Sequence, residues 1–376
     1  MVETITATQL RDWLDSDREF ALLDTRPAES YDAWHIADAI QYTYKPHFEF
    51  DAAEFREHTG LTPDDEIVTI CAKGVSSFDI ATQLAAHGYE QVTVVEDGME
   101  GWSEVYDIAD LPAEGVEIVQ FQPRAKGCLG YLVGDPATET AAVVDPTRHV
   151  DEFAAVATER GYSIEHVLDT HIHADHLSGG RELAEYVGAT YYLGAGAAER
   201  GVTADYRPLD RNEVIAVGDF DVKTVPTPGH TSDIVSYLVA DEAVLTGDTL
   251  FVDSVGRTEL QFGEGDAASG ADLLYESLHR TLLAEPDSVT VLPGHFAVAA
   301  DGTTDVTPGD PVLTTIGAAR TGLDLLAVDR ERFVERLTDA LPEKPPNYET
   351  IIDINAGRTV PADEEATTEL ELGPNN

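Results

Sequence analysis

The stretch "LDTHIHADHLSGG", residues 168–180, contains three of the twelve histidines of the chain within six positions. Side chains two positions apart in an extended or sharply turned segment project to the same side, so His171 and His173 can face one ion. Asp175 and His176 are displaced along the segment and can serve a neighbouring ion. A solvent-exposed polar loop is the alternative, and the downstream sequence argues against it.

Four apolar runs in the second half of the chain, each predicted to be a β-strand, end on a histidine or an aspartate. They are "IEHVLDTH", "DVKTVPTPGH", "AVLTGD" and "SVTVLPGH". Residues just past strand ends gather at one edge of a sheet, where binding sites are usually built. We therefore expect the terminal residues of these runs to meet at a metal site. They are His171, His230, Asp248 and His295.

The first half of the chain alternates strands and helices. "FALLDTR", "EIVTICA" and "QVTVVED" are predicted strands, and "SSFDIATQLAAHG" is a predicted helix that begins near Ser77 and stops at Gly88. Strands and helices at this spacing predict a small parallel α/β sheet. The polar segment at residues 107–121, which contains proline and glycine, is interpreted as a link between two domains.

The charge balance excludes some classes of partner. The 376 residues include 71 acidic and 23 basic side chains, for a formal net charge of −48, while 43% hydrophobic content is enough for real cores. A folded protein with such an acidic surface suits a salt-rich cytoplasm and repels nucleic acid. The N-terminus lacks the pattern of a secretory signal, and no apolar run is long enough to span a membrane. The sequence thus predicts a soluble, cytoplasmic protein that could form a homo-oligomer.

Neither of the two cysteines belongs to a disulfide framework. In "TICAKGVSSFD", Cys71 lies between a strand and a helix, where loop N–H groups and the positive helix end favour a thiolate. The same N–H groups would hold an anion or a persulfide, and Lys73 adds positive charge. A buried structural cysteine is the alternative for Cys71. Cys128, at the start of a predicted strand, is interpreted as a packing residue.

The motifs "THIHADH", "PTPGHT", "LTGDT" and "LPGH" resemble the metallo-β-lactamase superfamily over about residues 115–300. This resemblance implies an αββα sandwich. It does not decide the reaction, because the superfamily includes zinc hydrolases and iron oxygenases with nearly the same ligand letters.

Four flanking motifs, "GCLGYLVGD", "THIHADHLSGGRELAE", "GDTLFVDSVGRTEL" and "EKPPNYETIIDINAG", resemble the persulfide dioxygenases. Those enzymes oxidise the terminal sulfur of a thiol persulfide to sulfite with one Fe(II) and O₂. The resemblance implies that the iron ligands are His171, His230 and Asp248. Four further residues would then be present without binding that iron: His173, Asp175, His176 and His295.

A dinuclear zinc site is the alternative, as in thioester hydrolases of the glyoxalase II kind. It would use all seven residues, with Asp248 bridging, to generate a hydroxide nucleophile. The ligand set alone leaves both sites open. Arg257 is a candidate for pairing a substrate carboxylate, and Tyr348 is a weaker candidate for substrate contact. Glutathione is the usual carrier in the family, and another small thiol is the alternative.

The segments "LLDTRPAESYDAWHIADAI" and "EDGMEGW" around Cys71 resemble a rhodanese, or sulfurtransferase, domain over about residues 1–108. The resemblance implies that Cys71 carries sulfane sulfur as a persulfide. The family's D-x-R and closing G-W motifs are matched by Asp24, Arg26, Gly101 and Trp102.

This chain departs from the rhodanese pattern at three positions. Trp34 and Asp38 replace glycines that usually surround the "H-I" pair, and Ser76 stands where an arginine is common. The loss of the arginine removes a positive charge that would favour thiosulfate, an anionic donor, as substrate.

The predicted organisation is an α/β chain with a rhodanese-like domain at residues 1–110 and a metallo-β-lactamase domain at residues 111–345. Residues 346–376 form a C-terminal extension with an acidic tail. We expect the second domain to oxidise a persulfide of a small thiol with O₂. Cys71 would load sulfur onto that thiol or pass it to sulfite. The alternative is a dinuclear zinc hydrolase whose first domain only docks or positions the second.

Overall fold

The computed structural model describes residues 2–46, 49–263, 265–339, 341, 344–362, 366–367 and 370. Most of the predicted acidic tail lies outside the described residues. No helix in these ranges is long and apolar enough to cross a membrane. The predicted fold class is confirmed: a parallel-sheet domain precedes a two-sheet α/β sandwich.

The first domain is a five-stranded parallel sheet in the order β1-β5-β4-β2-β3. Its central strands are buried on both faces, which explains their continuous apolar sequences. The strands are β1 (Glu3–Ile5), β2 (Ala21–Asp24), β3 (Ile40–Gln41), β4 (Ile67–Ile70) and β5 (Val92–Val95). The helices are α1 (Ala7–Leu14), α2 (Ala28–Ala33), α3 (Ala52–Thr59), α4 (Val75–Ala86) and α5 (Gly98–Ser103).

Helix α4 begins at Val75, two residues before the predicted start at Ser77. The reason is Gly74, whose φ of 78° turns the chain from the Cys71 loop directly into the helix.

The second domain contains two sheets. The first has seven strands in the order β12-β11-β10-β9-β8-β7-β6. Its strands are β6 (Tyr106–Leu111), β7 (Glu117–Pro123), β8 (Gly130–Asp135), β9 (Thr140–Val144), β10 (Ser163–Leu168), β11 (Thr190–Gly194) and β12 (Arg207–Leu209). The second has six strands in the order β13 to β18. They are β13 (Val214–Val217), β14 (Phe220–Pro226), β15 (Val235–Val239), β16 (Ala243–Gly247), β17 (Thr290–Pro293) and β18 (Thr314–Thr315).

Helices cover the outer faces of the two sheets. They are α6 (Val150–Glu159), α7 (Gly180–Val187), α8 (Glu259–Phe262), α9 (Ala267–Arg280), α10 (Ile316–Gly322), α11 (Arg330–Thr338) and α12 (Tyr348–Asn355). One apolar cluster fills the space between the sheets. A second lies between the seven-stranded sheet and α6 and α7, and a third lies between the six-stranded sheet and α9 to α11. This is the expected αββα layering.

The interpretation of residues 107–121 as a linker is wrong. Strands β6 and β7 pair antiparallel and form the edge hairpin of the seven-stranded sheet. The predicted boundary at residue 110 therefore falls inside a strand of the second domain. The proline and glycine that suggested a linker belong to the turn of this hairpin, because turns and linkers favour the same residues.

Candidate active site

The histidine-rich loop follows β10 directly, at the carboxyl end of that strand. The other predicted ligands follow β14, β16 and β17. The predicted arrangement, with all four strand ends at one edge of one sheet, is wrong: β10 belongs to the seven-stranded sheet and the other three strands to the six-stranded sheet. The site therefore lies where the edges of the two facing sheets meet.

The structure brings His171, His230 and Asp248 together as a first ligand cluster, with one candidate ligand atom from each residue within 4.8 Å of the others. All three residues are buried. The Nδ1 atom of His230 pairs with the backbone oxygen of Arg257 at 2.7 Å, which leaves its Nε2 facing Asp248 Oδ2 at 3.5 Å. Gly256 permits this close packing, because a Cβ there would lie 1.8 Å from the Asp248 carbonyl oxygen. This cluster can supply two imidazoles and one carboxylate to a metal.

His173, Asp175 and His176 form a second cluster of the same compactness. The Oδ2 atom of Asp175 contacts His176 Nδ1 at 3.1 Å and His295 Nε2 at 2.8 Å. The other nitrogen of His295, Nδ1, lies 2.7 Å from Asp248 Oδ1. The imidazole of His295 thus joins a carboxylate of the second cluster to a carboxylate of the first.

Three buried imidazole nitrogens in the loop have no hydrogen-bond partner: His171 Nε2, His173 Nδ1 and His176 Nε2. An unpaired polar atom in a buried site is costly unless something else binds it. Imidazole nitrogens and carboxylates are common ligands of zinc and of non-haem iron. The residues therefore fit a metal, and the unpaired atoms lie in both clusters.

The imidazoles of the site differ in the direction of their pKa shifts. Burial, together with the adjacent His173, lowers the pKa of His171 well below its ordinary value, so this ring is neutral and able to coordinate. Burial also opposes the charge on His173, but the neighbouring Asp145 outweighs it and raises the pKa of His173 to about 9. Burial opposes charge on His295 too, and there Asp248 and Asp175 raise its pKa well above the usual range.

Two residues that the sequence patterns did not indicate, Asp145 and Thr170, hold the loop in place. Asp145 accepts from the backbone N–H of Thr170 at 2.6 Å and pairs with His173 Nε2 at 3.2 Å. The Thr170 hydroxyl lies 2.9 Å from His171 Nδ1, which orients that ring. Partners of this kind fix the orientation of metal-bound histidines. Asp145 directly follows the apolar strand β9, as the predicted ligands follow theirs, and this position is the sequence feature that could have indicated its role.

Asn355, at the end of α12, was also missed. Its Nδ2 donates to the backbone oxygens of His173 and His176, at 3.0 and 2.9 Å, and its Oδ1 accepts from the Ser178 N–H at 3.0 Å. Helix α12 lies in the segment predicted as a C-terminal extension, residues 346–376. That segment thus contributes directly to the candidate site.

A cavity of about 290 Å³ opens onto both clusters. Arg257 lines it, and the guanidinium group of Arg257 forms an ion pair with the buried Glu259. Phe251, Val255 and Leu260 give the cavity an apolar wall. Tyr348, the weaker substrate-contact candidate, does not line this cavity; its hydroxyl contacts Glu349 at 3.1 Å.

Cys71 follows β4 and precedes α4, at the carboxyl edge of the first sheet, and is 2% exposed. Its Sγ lies 3.2 Å from the Ser77 hydroxyl. Its carbonyl oxygen accepts from the Met99 N–H at 2.7 Å. This approach requires Gly98, where a Cβ would lie 2.1 Å from the same oxygen. Lys73, predicted to add charge, is half-buried in the loop.

The other rhodanese motif residues lie around this loop. Asp24 and Arg26 form a buried ion pair of 2.6 Å, and Arg26 also donates to the backbone oxygen of Trp34 at 2.7 Å. Ser76 lies 3.4 Å from the Thr25 hydroxyl. The D-x-R motif therefore joins the end of β2 to Trp34, and its middle residue, Thr25, contacts Ser76 beside the cysteine loop.

Comparison with known proteins supports the two-domain organisation. The model for the rhodanese-like domain matches residues 6–105, and the model for the metallo-beta-lactamase superfamily matches residues 124–295. A hydroxyacylglutathione hydrolase of Rhodopseudomonas palustris is 35% identical over 184 residues, which cover 49% of this chain and 68% of that protein. The chain belongs to the metallo-β-lactamase superfamily.

The chain is also similar to proteins whose names indicate different activities. A probable hydroxyacylglutathione hydrolase of Schizosaccharomyces pombe is 33% identical over 44% of this chain, and the match spans 62% of that protein. Among solved structures, ETHE1 from Myxococcus xanthus has a TM-score of 0.54 and 28% identity, covering 67% of this chain and 98% of that one. A metallo-beta-lactamase from Staphylococcus aureus has a TM-score of 0.58 and 26% identity, covering 65% of this chain and 73% of that one.

Proposed function

We propose that the second domain oxidises the persulfide of a small thiol to sulfite with O₂ at one Fe(II), and that the first domain transfers sulfane sulfur through Cys71. The observation that carries the single metal is the position of His295. Its two nitrogens contact Asp175 and Asp248, so hydrogen bonds satisfy this ring without a metal.

The first ligand cluster, His171, His230 and Asp248, is a compact donor set. Two imidazoles and one carboxylate would hold Fe(II) and leave positions open for a sulfur ligand and O₂. The likeness to ETHE1, which covers nearly the whole of that chain, supports this reading. The rhodanese-like domain supports it as well, because both domains would then handle sulfane sulfur.

The overall reaction balances without a further oxidant. One persulfide, one O₂ and one water give the thiol, sulfite and two protons, and the four electrons lost by the terminal sulfur reduce O₂. The residues of this chain would contribute in three ways. The apolar wall of the cavity would exclude water, Arg257 would face the organic end of the substrate, and the Arg257 backbone oxygen would orient His230.

The second candidate is a dinuclear zinc hydrolase of thioesters. It is favoured by the unpaired nitrogens of His173 and His176 and by the hydroxyacylglutathione hydrolases among the relatives. Under this alternative the first domain would dock or position the second without catalysis.

The deciding experiment loads the full chain with Fe(II) in high salt and measures O₂ uptake and sulfite after adding glutathione persulfide. We expect uptake matched by sulfite and one iron per chain. His176→Ala should retain one metal per chain, as should His87→Ala, a control at an exposed histidine. Two zinc ions per chain, thioester hydrolysis without O₂ uptake and loss of metal in His176→Ala would instead establish the hydrolase.

Cys71→Ser tests the role of the first domain. We expect sulfur transfer from thiosulfate or glutathione persulfide to disappear while O₂ uptake by the second domain persists. Cys128→Ser, at the other buried cysteine, is the matched control and should transfer sulfur normally. Unchanged transfer in Cys71→Ser would leave the first domain with a docking role only.

A further inference from the structure

A cleft of about 390 Å³ separates the two domains and has no place in the reaction proposed above. Sites for small organic ligands have this size and often lie between domains. The cleft is walled mainly by apolar side chains from both domains, among them Trp34, Ile36, Trp102, Phe296, Val298 and Val306.

Two of the three departures from the rhodanese pattern lie in this cleft. Trp34 and Asp38, which stand where glycines are usual, both line it. Asp38 has a φ of 62°, in the left-handed region that favours glycine. The backbone thus keeps a glycine-like conformation, while the two side chains change the chemistry of the wall.

Unpaired buried polar atoms point to a ligand in the same place. Among the described residues, such atoms concentrate in the histidine-rich loop and in the walls of this cleft. Two of these atoms are the buried indole nitrogens of Trp34 and Trp102, which line the cleft and whose N–H groups have no acceptor. Arg124 Nε also lacks a hydrogen bond by strict geometry, but it forms an ion pair with Asp107. An indole N–H can only donate, so the missing partner is an acceptor.

The charges of the cleft decide which acceptor fits. Asp15, Asp38 and Asp107 line it together with a single arginine, Arg124. Arg124 is already paired with Asp15 and Asp107. A carboxylate or phosphate ligand would therefore meet uncompensated negative charge, whereas an amide carbonyl can accept the indole protons without adding charge.

We propose that the interdomain cleft binds a small amide-bearing organic ligand of neutral or positive charge, which accepts hydrogen bonds from Trp34 and Trp102. Phe296 and Val306 also line a neighbouring cavity that contains His295, so the ligand would lie beside the candidate metal centre. This site does not depend on which reaction the metal centre performs.

The test uses the full chain in high salt and two probes that carry no thiol, N-acetyl-L-leucinamide and N-acetyl-L-leucine. Two of the three tryptophans line the cleft, so intrinsic fluorescence reports on its occupation, and calorimetry measures Kd independently. We expect saturable binding of the amide, with the acid weaker by about fivefold or more, the equivalent of about 1 kcal/mol. Neither probe is a substrate of the proposed reaction, so failure here would not bear on the metal centre.

Three variants make the test specific. Trp34→Phe keeps the aromatic surface and removes one hydrogen-bond donor, so it should raise the Kd of N-acetyl-L-leucinamide by about fivefold. Asp38→Asn keeps a residue that tolerates positive φ and removes a negative charge, so it should reduce the difference in Kd between the two probes. Trp13→Phe, at a ring packed on Phe20 and Arg18, should bind as the unaltered chain does. Absence of saturable binding, equal affinity for both probes or an unaffected Trp34→Phe would overturn the proposal.

Discussion

The imidazole of His173 is held by a carboxylate that lies 28 residues earlier in the chain. Asp145 also accepts two hydrogen bonds from Thr170, so its charge is fixed close to the ring. Metal-free protein should therefore keep His173 protonated near neutral pH, since its pKa is raised to about 9 after burial and Asp145 have acted in opposite directions. This pair links the stability of the metal-free loop to pH.

We predict the sign of that dependence. Because the folded pKa of His173 lies above the unfolded value of about 6.5, its contribution is fully present below pH 6.5 and is lost as pH rises through 9. The free energy of unfolding of chelator-treated protein should fall by up to about 3 kcal/mol over this range. Asp145→Asn should flatten the decline, because it removes the charge while tolerating the φ of 50° at this position.

The measurement is urea denaturation of the metal-free chain between pH 6 and 9.5 in high salt. Asp151→Asn, at an exposed acidic residue on α6, is the control and should reproduce the profile of the unaltered chain. A profile that is equally steep in Asp145→Asn would show that another group causes the decline.

At the scale of elements, α12 acts as a brace behind the histidine-rich loop. Ile352 and Ala356 pack in one apolar cluster with Ile172, which lies between the first two histidines of the loop. Asn355 adds three hydrogen bonds to the backbone of the same loop. The helix therefore contacts both the Ile172 side chain and the backbone of the loop, and we expect it to keep the candidate metal ligands in place.

Asn355→Ala should accelerate metal loss. The backbone groups of His173, His176 and Ser178 would lose their shared partner, and loss of such supporting contacts typically costs about 10- to 100-fold in metal affinity. The readout is the rate at which a chelator removes metal from the loaded chain, measured together with the melting temperature.

Thr350→Ala is the matched control, since Thr350 is exposed on the same helix. It should release metal at the rate of the unaltered chain. Asn355→Asp keeps the acceptor for the Ser178 N–H and loses the donated hydrogen bonds, so it should lose metal at a rate close to that of Asn355→Ala. Equal rates in all three variants would show that α12 does not brace the metal.

At the scale of the whole molecule, charge dominates. A net charge of −48 repels itself, and only five of the 23 basic side chains are lysines. Arginines form ion pairs on the surface of both domains, such as Arg18 with Glu66 and Arg330 with Asp272. These pairs are too few to balance the acidic surface, so we expect dissolved cations to screen the rest.

The melting temperature should therefore rise with added KCl. Between about 0.2 and 2 M KCl we expect an increase of ~5 °C or more, equivalent to roughly 1–2 kcal/mol at the transition. Differential scanning fluorimetry measures it, with uncharged sucrose at matched osmolality as the control. A melting temperature that does not respond to KCl would show that screening is unimportant for this fold.

Much of the fold follows from local pattern. The apolar runs that form β4, β5 and β16 are predicted correctly, because a strand buried along its whole length favours a nearly continuous apolar sequence. The hairpin of β6 and β7 has the sequence pattern of a linker, because its turn residues are those of a linker and the strand that pairs with β7, β8, is not evident from the local sequence. The predicted start of α4 at Ser77 lies two residues after the observed start at Val75 for a similar reason. The identity of Gly74 does not reveal the positive φ that it adopts in the folded chain.

The sequence by itself determined the residue types that can bind metal, their places after strands, and the cysteine between a strand and a helix. Only the tertiary structure decided how they are used. His295 lies between carboxylates 120 and 47 residues away, and Asn355 holds backbone groups 182 residues away. The cleft exists only where two domains meet. Hydrogen bonds and packing act over a few ångströms of space, and sequence spacing does not fix such distances between segments far apart in the chain.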